Sequence, residues 1–75
     1  MTLTEIAARI DAHLKRFEAV PLARYYFARA YRAGKYVLVT YVTYRGHSSL
    51  TRSEALAYLA WLDSGKIGTH WESQR

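Results

Sequence analysis

The residues best suited to chemistry in this chain are its tyrosines and cations, and the chemistry they favour is binding. Residues 19–53 contain no acid, but they hold six cations and six of the seven tyrosines. The cations are Arg24, Arg29, Arg32, Lys35, Arg45 and Arg52. Interleaved Tyr and Arg are enriched where proteins bind other molecules, and clustered positive charge favours an acidic partner. This block therefore predicts a binding surface.

Residue types that support catalysis or metal binding form no such pattern. The histidines, His13, His47 and His70, are isolated in the sequence, and there is no Cys. No Gly-rich phosphate loop, nucleophile elbow or pair of zinc ligands at helical spacing is present. A site built from His47, His70 and Glu72 has no spacing to support it. We therefore predict a protein that is not an enzyme and uses neither a metal nor a cofactor.

Length and composition predict one small folded domain, residues 1–75. A chain of this size buries roughly 60% of its unfolded surface, so its core is only marginally sufficient. Hydrophobic residues make up 51% and aromatic residues 15%, so aromatic packing or self-association is expected to supply stability. No apolar run is long enough to cross a membrane, and the N-terminus lacks a secretory signal. We expect a cytoplasmic protein, in the host cytoplasm if a phage encodes it.

Two segments have the pattern of an amphipathic helix behind a capping box. In both, Thr stands three residues before Glu, at residues 2–5 and 51–54, and apolar residues then recur at helical spacing. The first helix is predicted over residues 3–19 and ends before Pro21, since the residue before a proline avoids the helical region. The second helix is predicted over residues 52–63.

The middle of the chain predicts a sheet. Residues 36–44, YVLVTYVTY, have the composition of a strand, and a turn then leads into a short strand at residues 47–50. Residues 24–32 fit either an alanine-containing helix ended by Gly34 or a strand rich in Tyr and Phe. We favour the strand because a two-stranded sheet is marginally stable in water.

The predicted fold class is therefore α+β, with the element order α-β-β-β-α. The strands form a three-stranded antiparallel sheet between an N-terminal and a C-terminal helix. A tail at residues 64–75 follows, in which Ile67 and Trp71 are predicted to fold back on the core.

Strand alternation sorts the sheet residues onto two faces if Arg32 pairs with Tyr36. One face then carries Tyr26, Ala28, Ala30, Leu38, Thr40, Val42 and Tyr44. The other carries Tyr25, Phe27, Arg29, Tyr31, Val37, Val39, Tyr41 and Thr43. Arg29 would lie in mid-strand opposite Val39, and burying its guanidinium in so small a core would be costly. We therefore predict that the alanine face packs on the helices. The alternative places one helix on each face, with Arg29 reaching the edge.

Part of the chain resembles small phage-encoded type I anti-CRISPR proteins of α-βββ-α order. The similar segments are YYFARAYRAGK at residues 25–35, SEALAYLAWL at 53–62 and GKIG at 65–68. In that family the aromatic residue before the hairpin lies on the surface that docks a Cas subunit. Tyr31 occupies that place here, so the resemblance implies a docking role for it. The first helix and the positive charge depart from the family.

A second resemblance is to the βββα arm-type DNA-binding modules of tyrosine integrases. It covers residues 36–62, including the helix start TRSEA at residues 51–55. In those modules the sheet enters the major groove, so this resemblance implies direct contact with DNA.

Three functions follow as hypotheses. The first is an anti-CRISPR-like inhibitor that binds a host protein or ribonucleoprotein complex. The second is direct DNA or RNA binding, with phosphates contacted by cations and bases stacked on tyrosines. The third is a structural domain that only forms homodimers, and none of the three involves a membrane. The predicted partner-binding residues are Tyr25, Phe27, Arg29, Tyr31, Arg32, Lys35, Tyr41 and Arg45.

Overall fold

The first helix begins behind a threonine that caps its free amide groups. The computed structural model describes residues 1–17, 28–41 and 46–74. The Glu5 N–H donates to Thr2 Oγ1 and the Thr2 N–H donates to Glu5 Oε1, each at 3.1 Å, which is a reciprocal capping box. Helix α1 (Leu3–Phe17) then turns one apolar stripe inward. This stripe consists of Ile6, Ala7, Ile10, Leu14 and Phe17.

Three antiparallel strands follow, each hydrogen-bonded to the next in the chain. They are β1 (Arg29–Ala33), β2 (Tyr36–Tyr41) and β3 (Gly46–Leu50), with β2 in the centre. A turn of Gly34 and Lys35 joins the first two strands, and Gly34 has a φ of 61°. A positive φ at the first turn position is typical of hairpin turns that match the twist of the strands, and glycine adopts it without strain.

The chain leaves the sheet at Thr51, whose side chain begins a second capping box. Helix α2 (Arg52–Asp63) follows, and its inward residues are Ala55, Tyr58, Leu59 and Leu62. A short connection then leads to the single-turn helix α3 (His70–Ser73), which is capped by the Thr69 side chain. Threonine is favoured at both N-cap positions because its side-chain oxygen accepts a hydrogen bond from an amide that the helix leaves unpaired.

Both longer helices pack on the same face of the sheet. Helix α1 contacts β1 and β2, while α2 contacts α1, β2 and β3. Ala28 and Ala30 are buried beneath them, as the sequence predicts, and their small side chains let a helix approach closely. Val37, Val39 and Leu50 complete the strand side of the core. No helix in the described ranges is long and apolar enough to cross a membrane.

The predicted α+β class and element order are confirmed, with α3 as an addition. Helix α2 has its predicted bounds, and β3 begins one residue earlier than predicted, at Gly46. Strand β1 occupies the second half of the segment predicted over residues 24–32, while Ala28 precedes the strand. Residues 18 and 19, 24–27 and 42–44 of the predicted elements lie outside the described residues.

The predicted register of the first hairpin is wrong by one residue. Arg32 lies opposite Val37, whereas the prediction paired it with Tyr36. The prediction left Ala33 in the loop, but the turn needs only Gly34 and Lys35, so Ala33 remains in the ladder. A one-residue shift in register moves every side chain of one strand to the other face relative to its partner.

The shift exchanges the two faces of β2. Val37 and Val39 face the helices and are 0% exposed, so their predicted outward position is wrong. Leu38 and Thr40 were predicted to face the helices, but they lie on the other face and are half-buried. Arg29 and Tyr31 lie on the face turned away from the helices, as predicted. Tyr41 ends β2 and its side chain is not described, and the other members of the two predicted faces lie outside the described residues.

The predicted anchors of the tail are also wrong. Ile67 is 45% exposed and Trp71 is 67% exposed, so neither folds back on the core. His70 is buried instead, edge-on to the Tyr58 ring with 5.6 Å between the ring centroids. The Tyr58 hydroxyl donates to the buried Gly68 carbonyl at 2.8 Å, which holds the connection against α2. This bond and the Thr69 cap turn His70 inward and Trp71 outward.

Candidate functional site

The sheet face turned away from the helices brings together most of the described residues that suit a partner. We call it the outer face, and by register it carries Arg29, Tyr31, Tyr36, Leu38, Thr40, His47 and Ser49. Tyr31 is 48% exposed and Tyr36 is 38% exposed. The strands contain no acidic residue, because every acid in the described residues lies in a helix. The outer face therefore presents aromatic rings and positive charge without a carboxylate.

The two tyrosines are neighbours at the hairpin end of the outer face. Tyr31 lies opposite Leu38, which makes Tyr36 its diagonal neighbour across the strands. The Lys35 Nζ lies 5.7 Å from the centroid of the Tyr36 ring, within the range of a cation–π contact. Aromatic area and a cation are thus held in one place, as interface anchors usually are.

Arg29 lies at the other end of β1, opposite Thr40 rather than Val39. The Thr40 hydroxyl donates to the Arg29 carbonyl at 3.4 Å, which ties the two outer-face residues together. The Arg29 side chain is half-buried. Its charge is therefore held closer to the sheet than that of a fully extended surface arginine.

Arg32 borders the outer face without belonging to it. It alternates with Tyr31 along β1 and so shares the side of Ala30, but its side chain is exposed. Its Nε donates to the Gly34 carbonyl at 2.9 Å. This bond holds the guanidinium beside the hairpin, close in the chain to Lys35.

Four of the eight predicted partner-binding residues, Arg29, Tyr31, Arg32 and Lys35, lie in or beside the β1–β2 hairpin. Three others, Tyr25, Phe27 and Arg45, lie outside the described residues. The eighth, Tyr41, ends β2 opposite Gly46, and its side chain is not described. The sequence prediction missed Tyr36, Leu38, Thr40, His47 and Ser49. A two-residue turn at Gly34 and Lys35 was the signal that would have placed the β2 members correctly.

A second candidate region lies along the free side of β3. Here a groove of about 250 Å³ runs between the strand and α3, with Glu54 and Trp71 among its lining residues. The Thr51 backbone and hydroxyl hydrogen-bond the Glu54 carboxylate and lower its pKa, so it is ionised at neutral pH. Burial lowers the pKa of His70, and Gln74 Nε2 donates to His70 Nε2 at 3.0 Å, which fits a neutral imidazole. At neutral pH the groove therefore carries one negative charge.

A polar contact joins the two longer helices at the opposite end of the molecule. Arg16 Nη2 donates to His13 Nδ1 at 2.6 Å, and His13 Nε2 donates to Asp63 Oδ1 at 2.7 Å. The histidine is therefore occupied on both ring nitrogens. It has a structural part in linking α1 to α2 and no group left to offer a ligand.

Within residues 1–17, 28–41 and 46–74, no cluster of three His, Cys, Asp or Glu side chains is arranged to hold a metal ion. Comparison of this chain with models of protein families, with curated proteins and with solved structures finds no match.

Proposed function

We propose that this protein acts by docking its outer face onto an acidic surface of a protein partner. The observation that supports this most is the exposed pair Tyr31 and Tyr36, set among cations on a sheet that has no acid. Tyrosines supply rigid apolar area to the centre of an interface, and complementary charge speeds encounter and excludes wrong partners. Binding, rather than catalysis, is the activity that these residues serve.

The balance of charge and apolar area on the outer face favours a protein over a nucleic acid. Leu38 lies between the tyrosines and Ser49, so the centre of the face is apolar. Arg29 is half-buried and the other nearby cations, Arg32 and Lys35, are gathered at the hairpin. Nucleic-acid affinity depends on several cations reaching phosphates together, which suits this arrangement less well.

The resemblance to type I anti-CRISPR proteins suggests which partner to test first. Tyr31 stands where that family has its docking aromatic residue, and here it is an exposed member of the outer face. We therefore propose a nucleic-acid-handling complex, such as a type I CRISPR surveillance complex in a host cytoplasm, as the target. The protein would inhibit it by covering a functional surface.

The test is to measure binding of the chain to a purified type I surveillance complex by biolayer interferometry. We expect Tyr31→Ala to weaken binding by at least about tenfold, since interface tyrosines commonly carry that much free energy. Arg29→Ala should mainly slow association. Ile67→Ala and Arg9→Ala remove an exposed apolar residue and an exposed cation elsewhere, so they are matched controls. Unchanged binding in the Tyr31→Ala/Arg29→Ala double variant would show that the outer face is not the docking site.

Direct nucleic-acid binding is the second candidate, favoured by the separation of charge between sheet and helices. It is tested by gel shift with duplex DNA and single-stranded RNA of about 20 nucleotides. Retardation that declines steeply with salt, and that Arg32→Ala and Lys35→Ala reduce, would support it over protein docking. No retardation at low salt would exclude it.

A further inference from the structure

The alternation of hydrogen-bonded pairs in the sheet shows which backbone N–H and C=O groups of β3 point away from β2, at the free edge. The Ala30 N–H donates to Asp11 Oδ1 at 3.0 Å, so the backbone groups of Ala30 point away from β2. In antiparallel pairs the hydrogen-bonded and non-hydrogen-bonded positions alternate, so Val39, opposite Ala30, must direct its groups to β3. Val39 is opposite Ser48. Ser48 therefore directs its backbone N–H and C=O to β2. Its neighbours His47 and Ser49 direct theirs outward, which here means away from β2 at the free edge of the sheet.

Nothing in the described part of the chain occupies those outward groups. His47 and Ser49 are both exposed, and no described backbone or side-chain bond outside the sheet ladder involves either residue. Strand β3, GHSSL, also has no Lys, Arg, Asp, Glu or Pro. Proteins usually guard an edge strand with such residues, because its unpaired groups are a template for another strand. Strand β3 itself contains none of these protective residues.

We propose that β3 pairs antiparallel with β3 of a second copy of this chain, about a two-fold axis that passes between the two Ser48 residues. His47 of each copy then lies opposite Ser49 of the other. Each such pair exchanges both of its N–H···O bonds, so every outward group of both strands is used. An interface on a two-fold axis must be self-complementary, and the symmetric placement of His47 and Ser49 about Ser48 meets that condition.

The absence of Lys and Arg from the groove beside β3 makes this side suitable for a second copy of the chain. The chain has a net charge of +5, and two copies would repel each other if their cations met. The residues lining the groove beside β3 include the Glu54 carboxylate and no Lys or Arg. A two-fold axis brings the same side of both copies together, so the two groove linings that meet beside β3 bring no Lys or Arg against its counterpart. Trp71, 67% exposed on the groove wall, provides apolar area that pairing would cover.

The proposed dimer has a consequence for the outer face. A two-fold axis perpendicular to the sheet keeps the outer faces of both copies on the same side, within one continuous sheet. Two sets of tyrosines would then face a partner together. The dimer does not depend on the docking proposed above, because the β3 edge uses backbone groups and the outer face uses side chains.

The test is sedimentation velocity of the full chain over a range of concentrations up to about 1 mM. The wild type should form dimers, and Ser49→Pro should raise the dissociation constant by at least about tenfold, since proline removes an outward N–H. That N–H is outside the intramolecular ladder, so the variant should keep its fold by circular dichroism. Ser49→Ala is the matched control, because it keeps the N–H and should keep the dimer. Tyr31→Ala should also leave the dimer intact, which separates this proposal from the docking function.

Hydrogen exchange supplies a second measurement if Ser49→Pro fails to fold. In the wild type, the His47 and Ser49 amides should exchange more slowly as protein concentration rises, while exposed helix amides do not change. A chain that remains monomeric at about 1 mM overturns the proposal. So does a dimer that is as tight in Ser49→Pro as in Ser49→Ala, or one whose formation leaves these two amides unprotected.

Discussion

The two edges of the sheet differ in how their free backbone groups are covered. At β1, the Asp11 carboxylate accepts the outward Ala30 N–H and α1 packs along the strand. At β3, the outward groups of His47 and Ser49 have no such partner among the described residues, and the strand carries no charged residue. The same sheet thus has one edge where a helix carboxylate accepts an outward amide, and one edge where no described side chain does so.

This difference shows that edge protection here is local rather than a property of the whole fold. A carboxylate on one helix covers part of β1, because it accepts the Ala30 N–H and places a negative charge beside the strand. On the β3 side a groove lies between the strand and α3, and no described side chain accepts from an outward amide of the strand.

The largest loss of stability is expected from weakening the packing of α1, the helix that lies along β1. Ile10 on α1 is 0% exposed, and Ile10→Ala should lower the free energy of unfolding by about 2–5 kcal/mol through lost burial and a cavity. Urea unfolding measures this, and aggregation should rise because the β1 edge is opened. Leu56→Ala on α2, at a residue 37% exposed, is the control and should change stability by about 0.5 kcal/mol or less. Equal losses in both variants would contradict the picture of α1 as the main cover.

Removing the carboxylate alone is the next test. Asp11→Ala leaves the Ala30 N–H without its acceptor and should cost about 1–3 kcal/mol. Asp11→Asn keeps an oxygen in place and should recover most of that loss, although it gives up the Lys15 ion pair at 3.6 Å. Denaturation and exchange of the Ala30 amide report the result. If Asn is as damaging as Ala, charge rather than the hydrogen bond closes this edge.

On the β3 side, the matching test is the bond that holds the tail. Tyr58→Phe removes the buried donor to the Gly68 carbonyl and should cost about 1 kcal/mol. The loss should speed amide exchange in α3 and leave the Ala30 amide unchanged, since α3 lies beside β3. Tyr36→Phe, at an exposed position, is the control. Faster exchange at Ala30 would mean that the two edges are coupled.

The smallest effect is expected in how the stability of the fold depends on pH. Burial lowers the pKa of His70 below its ordinary 6.5, with Glu54 opposing the shift. The unfolded chain therefore binds a proton at a higher pH than the folded chain, so stability should decline as pH falls through about 6.5 toward the folded pKa. Melting temperatures from pH 7.5 to 5.5 measure this slope. His70→Gln should flatten it and the exposed control His47→Gln should not; the reverse result would place the sensitivity elsewhere.

The parts that sequence could predict are those set by near neighbours in the chain. The Thr-x-x-Glu spacing and the apolar stripe fixed α2 at its observed bounds, because capping and helical periodicity are local. The register of the β1–β2 hairpin could not be predicted in this way. Tyr36, Val37, Leu38 and Val39 are all apolar or aromatic, so alternation alone does not choose which face of β2 is buried. The turn length decides it, and Gly34 fits a loop of two residues or of three.

The tail could not be predicted from hydrophobicity. Trp71 is the larger apolar residue, yet His70 is the one buried, because a hydrogen bond and a cap set the direction of the chain there. Gly68 is needed for this close approach, since an added Cβ would lie 2.7 Å from the Trp61 ring. Contacts of this kind depend on the packed structure and leave no periodic signal.

The sequential order of the strands also bears on how fast this chain folds. Each strand pairs with its neighbour along the chain, so the sheet needs only short loops to close, and such local contacts form quickly. The contact of His13 with Asp63 is different, since it joins residues 50 positions apart. Closing that large loop carries a higher entropic cost, so the sheet is expected to assemble first and the union of the two helices to complete the native state.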